Sequence, residues 1–261
     1  MKRNIRILIS LLTAVSFLLA ACSPFAPETN AAPEQPAAES ESGEPEEQPA
    51  AGGVITFETS DACAILSEGQ VSAAFGKAIV GVTPDEQAIG TGCEYDFGSD
   101  TELQVSIYEG NAGKHYFAGL IQAAEESCDA LLERFFDIAF GQNPDSGQDV
   151  SGLSMADLYN DYVAALGECM YVASAVRPDV GENVLATETI FLNWSSNVAV
   201  LGDDRVVEIT YQEPIPADAQ NAFQGATDKD SFYALAQPYR DSVLAGYTEI
   251  LIGLLQVALT Q

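Results

Sequence analysis

An α+β fold, in which an antiparallel sheet packs against helices and carries an inserted helical hairpin, is what the sequence predicts, on three observations. Short runs alternate apolar and polar side chains, as in Leu103, Val105 and Ile107 against Gln104 and Ser106. Two longer stretches, around 117–138 and 154–173, carry apolar residues at helical spacing with turn chemistry between them. Four cysteines, Cys63, Cys93, Cys128 and Cys169, make an even set suited to two cross-links.

Composition bounds the function first. The 261 residues hold 10 Lys and Arg against 39 Asp and Glu, a net charge of −29, which excludes nucleic acid as a partner held through a basic patch. Apolar residues are 47% of the chain, enough for a packed core.

The elements follow in chain order. Lys2, Arg3 and Arg6 precede an apolar run from Ile7 to Leu19, which falls short of the roughly 20 residues a spanning helix needs and reads as an export signal. The run ends in Leu19-Ala20-Ala21-Cys22, which resembles the lipobox of bacterial lipoproteins. The resemblance implies that residues 1–21 are removed and that Cys22 is lipidated. Diacylglycerol plus an N-acyl group would then hold the protein at the cell membrane or envelope, facing the extracytoplasmic side. The following segment, 22–53, contains Pro24, Pro27, Pro33, Pro36, Pro45 and Pro49, seven glutamates and no Lys or Arg. Such a segment cannot bury enough apolar area to offset its ordering entropy, so it is expected to be a disordered tether. Fully extended, its reach is on the order of 90 Å.

Residues 54–261 are expected to form a single α+β domain with a helical insert over about 114–175. Its seven basic and 32 acidic residues, a net of −25, read either as a solvated acidic surface or as a site for a cationic partner. Ser67-Glu68-Gly69-Gln70 has the capping-box pattern and starts a short helix bearing Val71, Ala74 and Phe75, which Gly76 ends. Ala78 to Val82, Cys93 to Phe97 and the alternating Leu103 to Ile107 read as strands. Phe117, Leu120, Ala124, Cys128, Leu131, Phe135 and Ile138 define one helix ending near Phe140. Ser154 and Asp157 start another, with the stripe Leu158, Tyr162, Leu166, Cys169 and Ala173. Val184 to Trp194, Val198 to Leu201 and Arg205 to Tyr211 follow as strands, the last two joined by Gly202-Asp203-Asp204. From Asp230 the pattern is helical to the end, with a bend expected at Pro238.

Four exported cysteines allow three connectivities. Pairing Cys63 with Cys93 staples the first helix to the sheet. If the two long helices fold back on each other, Cys128 lies about 18 Å before the turn and Cys169 about 21 Å after it, so this pair meets at one height. A structural zinc would need all four thiolates from distant places, and no metal or cofactor is expected.

Asp61-Ala62-Cys63-Ala64-Ile65-Leu66-Ser67, then Val71 and Phe75-Gly76, then Gly92-Cys93-Glu94-Tyr95, resembles the opening half of small bacterial lipoprotein domains of uncharacterised function. The resemblance covers about 61–108 and, more loosely, the strands from 184 and the last helix. It implies an antiparallel sheet against helices, similar to the extrinsic subunits of the photosynthetic oxygen-evolving complex, and it brings no catalytic residues. The chain departs from that pattern at the 114–175 insert.

Candidate chemical sites are few. His115, the single histidine, stands at a helix start with no recognisable nucleophile beside it and reads as an exposed surface residue. Asn143, Asp145, Gly147 and Asp149 suggest a calcium loop, but Ser154 occupies the place of the bidentate Glu. Asn193-Trp194-Ser195 matches a glycosylation sequon inside a strand and is read as chance. The last helix is apolar nearly all round, so it is expected either between sheet and hairpin or with Leu251, Leu255 and Leu259 as a candidate partner face. The favoured function is a surface-displayed binding or assembly module, anchored to the membrane through lipid and serving another envelope protein; the alternative is an envelope enzyme with a carboxylate-based site.

Overall fold

The computed structural model describes residues 53–87, 89–139, 146–191 and 193–260. The export signal, Cys22, the tether and the Asn143-Pro144-Asp145 turn lie outside those residues. A 3-10 turn, Ala62–Ala64, precedes α1 (Glu68–Phe75), β1 (Gly81–Gln87), β2 (Gly90–Gly98) and β3 (Thr101–Glu109). Helices α2 (Gly110–Glu126), α3 (Cys128–Ala139) and α4 (Met155–Cys169) come next. Strands β4 (Tyr171–Val176), β5 (Val184–Ile190), β6 (Asn193–Leu201) and β7 (Arg205–Pro214) complete the sheet. The chain ends in α5 (Ala217–Phe223), α6 (Lys229–Tyr239), a π-helical segment (Arg240–Leu244) and α7 (Ala245–Ala258).

The fold is α+β. All seven strands pair antiparallel in the order β1-β2-β3-β7-β6-β5-β4, so β3 and β7 bring the two halves of the chain together and β1 and β4 are the edges. Local chemistry sets several boundaries. Ser67 and Gln70 form the capping box of α1, and Gly76 ends it in the left-handed conformation, φ 61°. Gly90 lets β2 lie on β3, since a Cβ there would stand 1.8 Å from the Ile107 carbonyl oxygen. Ile55 is tied to the fold by Asn183, which receives its N–H and donates to its carbonyl, and Arg205 donates to the Phe57 and Thr59 carbonyls.

Each face of the sheet is covered by different helices. Leu103, Val105, Ile107, Val198, Val207 and Ile209 pack on one side with Val71 of α1 and Leu251, Ile252, Leu254 and Leu255 of α7. On the other side Leu185, Ala199, Leu201 and Val206 meet Phe117 of α2 and Met155, Leu158, Tyr159 and Val163 of α4. Helix α3 lies further out, packed through Leu131 on Leu120 and Ala123 of α2 and Leu166 of α4. Each fully buried Leu or Ile contributes roughly 1.5–3 kcal/mol.

The expected elements need five corrections. The helix read through 117–138 breaks at Ser127, which is extended at φ −176°, ψ 162° and caps α3 by accepting from the Ala130 N–H. The following helix stops at Cys169, and Ala173 belongs to β4, because Met170 turns extended at φ −149°, ψ 169°. The run Val184–Trp194 is the whole of one strand and the start of a second, and at their junction Phe191 N–H donates to the Asn193 carbonyl at 2.9 Å. The first strand begins at Gly81, later than read, and accommodates Pro84 because it is an edge. Finally, α7 lies on the sheet face opposite the helical hairpin, because both faces carry apolar side chains and each needs its own cover. Pro238 sits inside α6 and is followed directly by the π-helical segment; Ser242 Oγ donates to the Pro238 carbonyl at 2.7 Å.

Candidate functional site at the open sheet edge

The cysteines meet as read: Cys63 is joined to Cys93 with Cα atoms 5.0 Å apart, and Cys128 to Cys169 with Cα atoms 5.2 Å apart. The second pairing arises differently from its derivation, since Cys128 opens α3 and Cys169 closes α4. The candidate partner face does not form. Leu251 and Leu255 are 0% and 1% exposed inside the core, and of the three leucines only Leu259, at 37%, meets solvent. His115 is half-buried, with Nδ1 3.1 Å from Ser146 Oγ, rather than exposed. Gly147 takes φ 69° and Asp149 accepts from Ser151, as turn residues do. Asn193 stands at the start of β6, exposed beside the buried Trp194.

Two polar constellations sit against the sheet. On the hairpin side, the Glu208 carboxylate of β7 accepts from Tyr159 at 2.5 Å and Tyr108 at 3.3 Å, and Tyr116 stacks on Tyr108 with ring centroids 5.3 Å apart. Burial pushes the Glu208 carboxyl above its ordinary value, although the two tyrosine donors pull it back. Burial likewise pushes Tyr108, Tyr159 and Tyr162 well up, so these phenols stay protonated, and Tyr108 and Tyr159 act as donors to Glu208. On the other side, Glu213 accepts from Tyr211 at 2.9 Å, Tyr247 at 2.7 Å and Trp194 Nε1 at 3.1 Å, with Lys77 Nζ 3.6 Å away. Desolvation, followed by the hydrogen bond to Glu213 and then the charge of that carboxylate, pushes Tyr247 up to about 12. Both clusters spend their polar atoms on one another and tie sheet to helix.

The edge of β4 differs, and register decides why. Arg177 N–H donates to the Val184 carbonyl at 2.9 Å, which continues the ladder in which Ala173 and Ala175 stand opposite Glu188 and Ala186. Odd residues of β4 therefore bond to β5, and even residues aim their N–H and C=O outward. Val172 N–H is taken by Tyr233 of α6 at 3.2 Å. Beyond it, among the described residues, nothing meets the outward groups of Ser174 and Val176, and Ser174, Ala175 and Val176 are all exposed. No charge or proline interrupts Tyr171–Val176, so two of the usual protections of an edge strand are missing within it, and Arg177-Pro178 follows only at its end.

Beside this edge, on the α7 side, lies a cavity of about 140 Å³. Its floor is made of small residues, Ala173, Ala175, Ala186 and Ala245, and its walls include Glu188, Arg240, Arg177 and Glu249. Glu188 is 5% exposed, receiving Arg240 Nε at 2.6 Å and Thr248 Oγ1 at 2.9 Å. Arg240 comes from the π-helical segment, whose widened turn follows Pro238. Arg177 bridges Asp179 at 2.8 Å and Glu249 at 2.9 Å, and these contacts hold its guanidinium protonated while keeping the Asp179 carboxyl low.

A larger groove of about 280 Å³ between α2 and α3 is lined by the exposed Glu126, Glu133 and Asp137 with Arg134. Among the described residues no group of three or more His, Cys, Asp or Glu could hold a metal ion. No family model, no curated protein and no solved structure matches this chain. Sequence reasoning missed the edge: Ala173 fitted the helical stripe, and an open strand depends on what the rest of the chain leaves uncovered.

Proposed function

We propose that the chain is a membrane-anchored envelope lipoprotein whose folded part is a surface-displayed binding or assembly module. The observation that carries this reading is the uncharged, unpaired edge at Ser174–Val176, a template to which a strand of another protein can add through main-chain hydrogen bonds. The lipobox-like Leu19-Ala20-Ala21-Cys22 supports the anchor, and the Pro- and Glu-rich segment after it supports display away from the lipid surface. The enzyme reading gains less, because Glu208, the carboxyl that burial raises, has both oxygens engaged by tyrosines.

A photo-crosslinking residue placed at Ser174 in the full-length chain, in the cells that make it, is expected to yield one discrete adduct. The same residue at the exposed Thr83 of the opposite edge is expected to yield none. Failure at Ser174, or identical products from both edges, contradicts the module reading. Mass spectrometry of the mature N-terminus tests the anchor: a diacylated Cys22 is expected, and a free Cys22 or cleavage elsewhere contradicts it.

A further inference from the structure

Resting on the reading of β4 as a docking edge, we infer that its occupant is an extended peptide segment with a basic side chain flanked by apolar ones, the basic group entering the cavity lined by Glu188 and Glu249.

Register fixes where the guest's side chains go. A strand added antiparallel to β4 lies about 4.8 Å from it, and its side chains alternate between the two faces as those of β4 do. The guest residue opposite Ala175 stands on the cavity side, because Ala173 and Ala175 line that cavity. Its neighbours, opposite Ser174 and Val176, lie on the other face, where Val176 is 59% exposed and offers an apolar contact. Ala173, Ala175, Ala186 and Ala245 leave the space that a long, unbranched stem would fill.

Charge chooses the tip of that stem. Two guanidiniums, Arg177 and Arg240, are shared among four carboxylates, Asp179, Glu249, Glu188 and Asp241, which leaves the surround with an excess of negative charge. The Glu249 side chain is 65% exposed, and both its oxygens accept from the single guanidinium of Arg177, at 2.9 and 3.5 Å. The cavity lining alone is balanced, Arg177 and Arg240 against Glu188 and Glu249, so the excess comes from Asp179 and Asp241 around it; an added ammonium or guanidinium offsets that excess and an added carboxylate increases it. The chain's net charge of −29 acts in the same direction at longer range.

Other occupants fit poorly. A second copy pairing through its own β4 would place Ala173 or Ala175 opposite Ala175, leaving the cavity unfilled, or in the remaining register an Arg177 already bound to Asp179 and Glu249, and would bring two acidic chains together. The segment 22–53 of this chain has seven glutamates and no Lys or Arg to offer.

The test uses the full-length chain, labelled with nitrogen-15, and three capped hexapeptides with the cores Val-Lys-Val, Val-Glu-Val and Val-norleucine-Val. Amide exchange at Ser174 and Val176 is the readout. The lysine peptide is expected to slow exchange at both amides at least tenfold, at a concentration where the glutamate peptide has no effect. Glu249→Gln, at an exposed site that leaves folding intact, is expected to weaken the lysine peptide severalfold. Equal protection by all three peptides overturns the basic occupant while leaving the docking edge standing. No protection by any peptide overturns both readings. Protection that grows with protein concentration without peptide, together with a dimer in sedimentation, overturns this inference in favour of a second copy.

Discussion

The two edges of the sheet are built on different principles. Strand β1 contains Pro84, which has no N–H to offer, and the acidic Asp85, so it discourages pairing by a further strand. Strand β4 contains neither charge nor proline, and its last three residues are exposed. Each edge is nevertheless held close to a disulfide: Cys93 lies in β2, the neighbour of β1, and Cys169 ends the helix that leads into β4. The framework is therefore similarly stiffened on both sides, and what differs is the permission to pair.

The largest expected effect comes from removing the disulfides. Replacing Cys63 and Cys93, or Cys128 and Cys169, by alanine is expected to cost about 3–4 kcal/mol in denaturant unfolding, from loops spanning separations of 30 and 41 residues. The two losses separate the edges: only the second should speed amide exchange along β4 and β5. Exchange at β4 rising equally in both variants would mean that the edges are not independently held.

Proline scanning sharpens the comparison at the next level. Ala175→Pro removes an N–H bonded to β5 and is expected to cost about 2–3 kcal/mol, whereas Ser174→Pro removes an outward N–H and is expected to cost under about 1 kcal/mol. The same Ser174→Pro variant should lose its cross-linked adduct when the probe is moved to Val176. Equal costs at 174 and 175 would refute the register.

The smallest effect lies between the edges, at Glu208. Its carboxyl is raised above the ordinary 4.5, so the folded state holds this proton more tightly than the unfolded state. That contribution is fully present below about pH 4.5 and is lost as the pH rises through the raised value. Glu208→Gln is expected to flatten this part of the stability profile measured by thermal unfolding from pH 4 to 8, and an unchanged slope would contradict the assignment.

Much of the fold was legible because local chemistry agreed with the final structure. Ser67 and Gln70 announce α1, Ser154 caps α4 by accepting from Asp157 N–H, and the alternation through Leu103–Ile107 gives β3 its buried face. The cysteine pairing was legible as well. The breaks were harder. Ser127 interrupts a stripe that continues in phase on either side, and Ala173 extends the stripe of α4 although Met170 has already left the helix. The side of the sheet that α7 covers could not be read from periodicity, because both faces are apolar and either would accept it. The candidate site was least legible: Ser174-Ala175-Val176 becomes an edge only through strand order, and its cavity gathers residues from β4, β5, α7 and the π-helical segment.

Residue-resolved amide exchange in the free protein tests the account most directly. If β4 is an open edge, Ser174 and Val176 should exchange at least a hundredfold faster than Ala173 and Ala175, whose amides are bonded to β5, giving an alternating pattern along one strand. Uniform slow exchange across all four amides would show that the edge is covered and would contradict the docking site built on it.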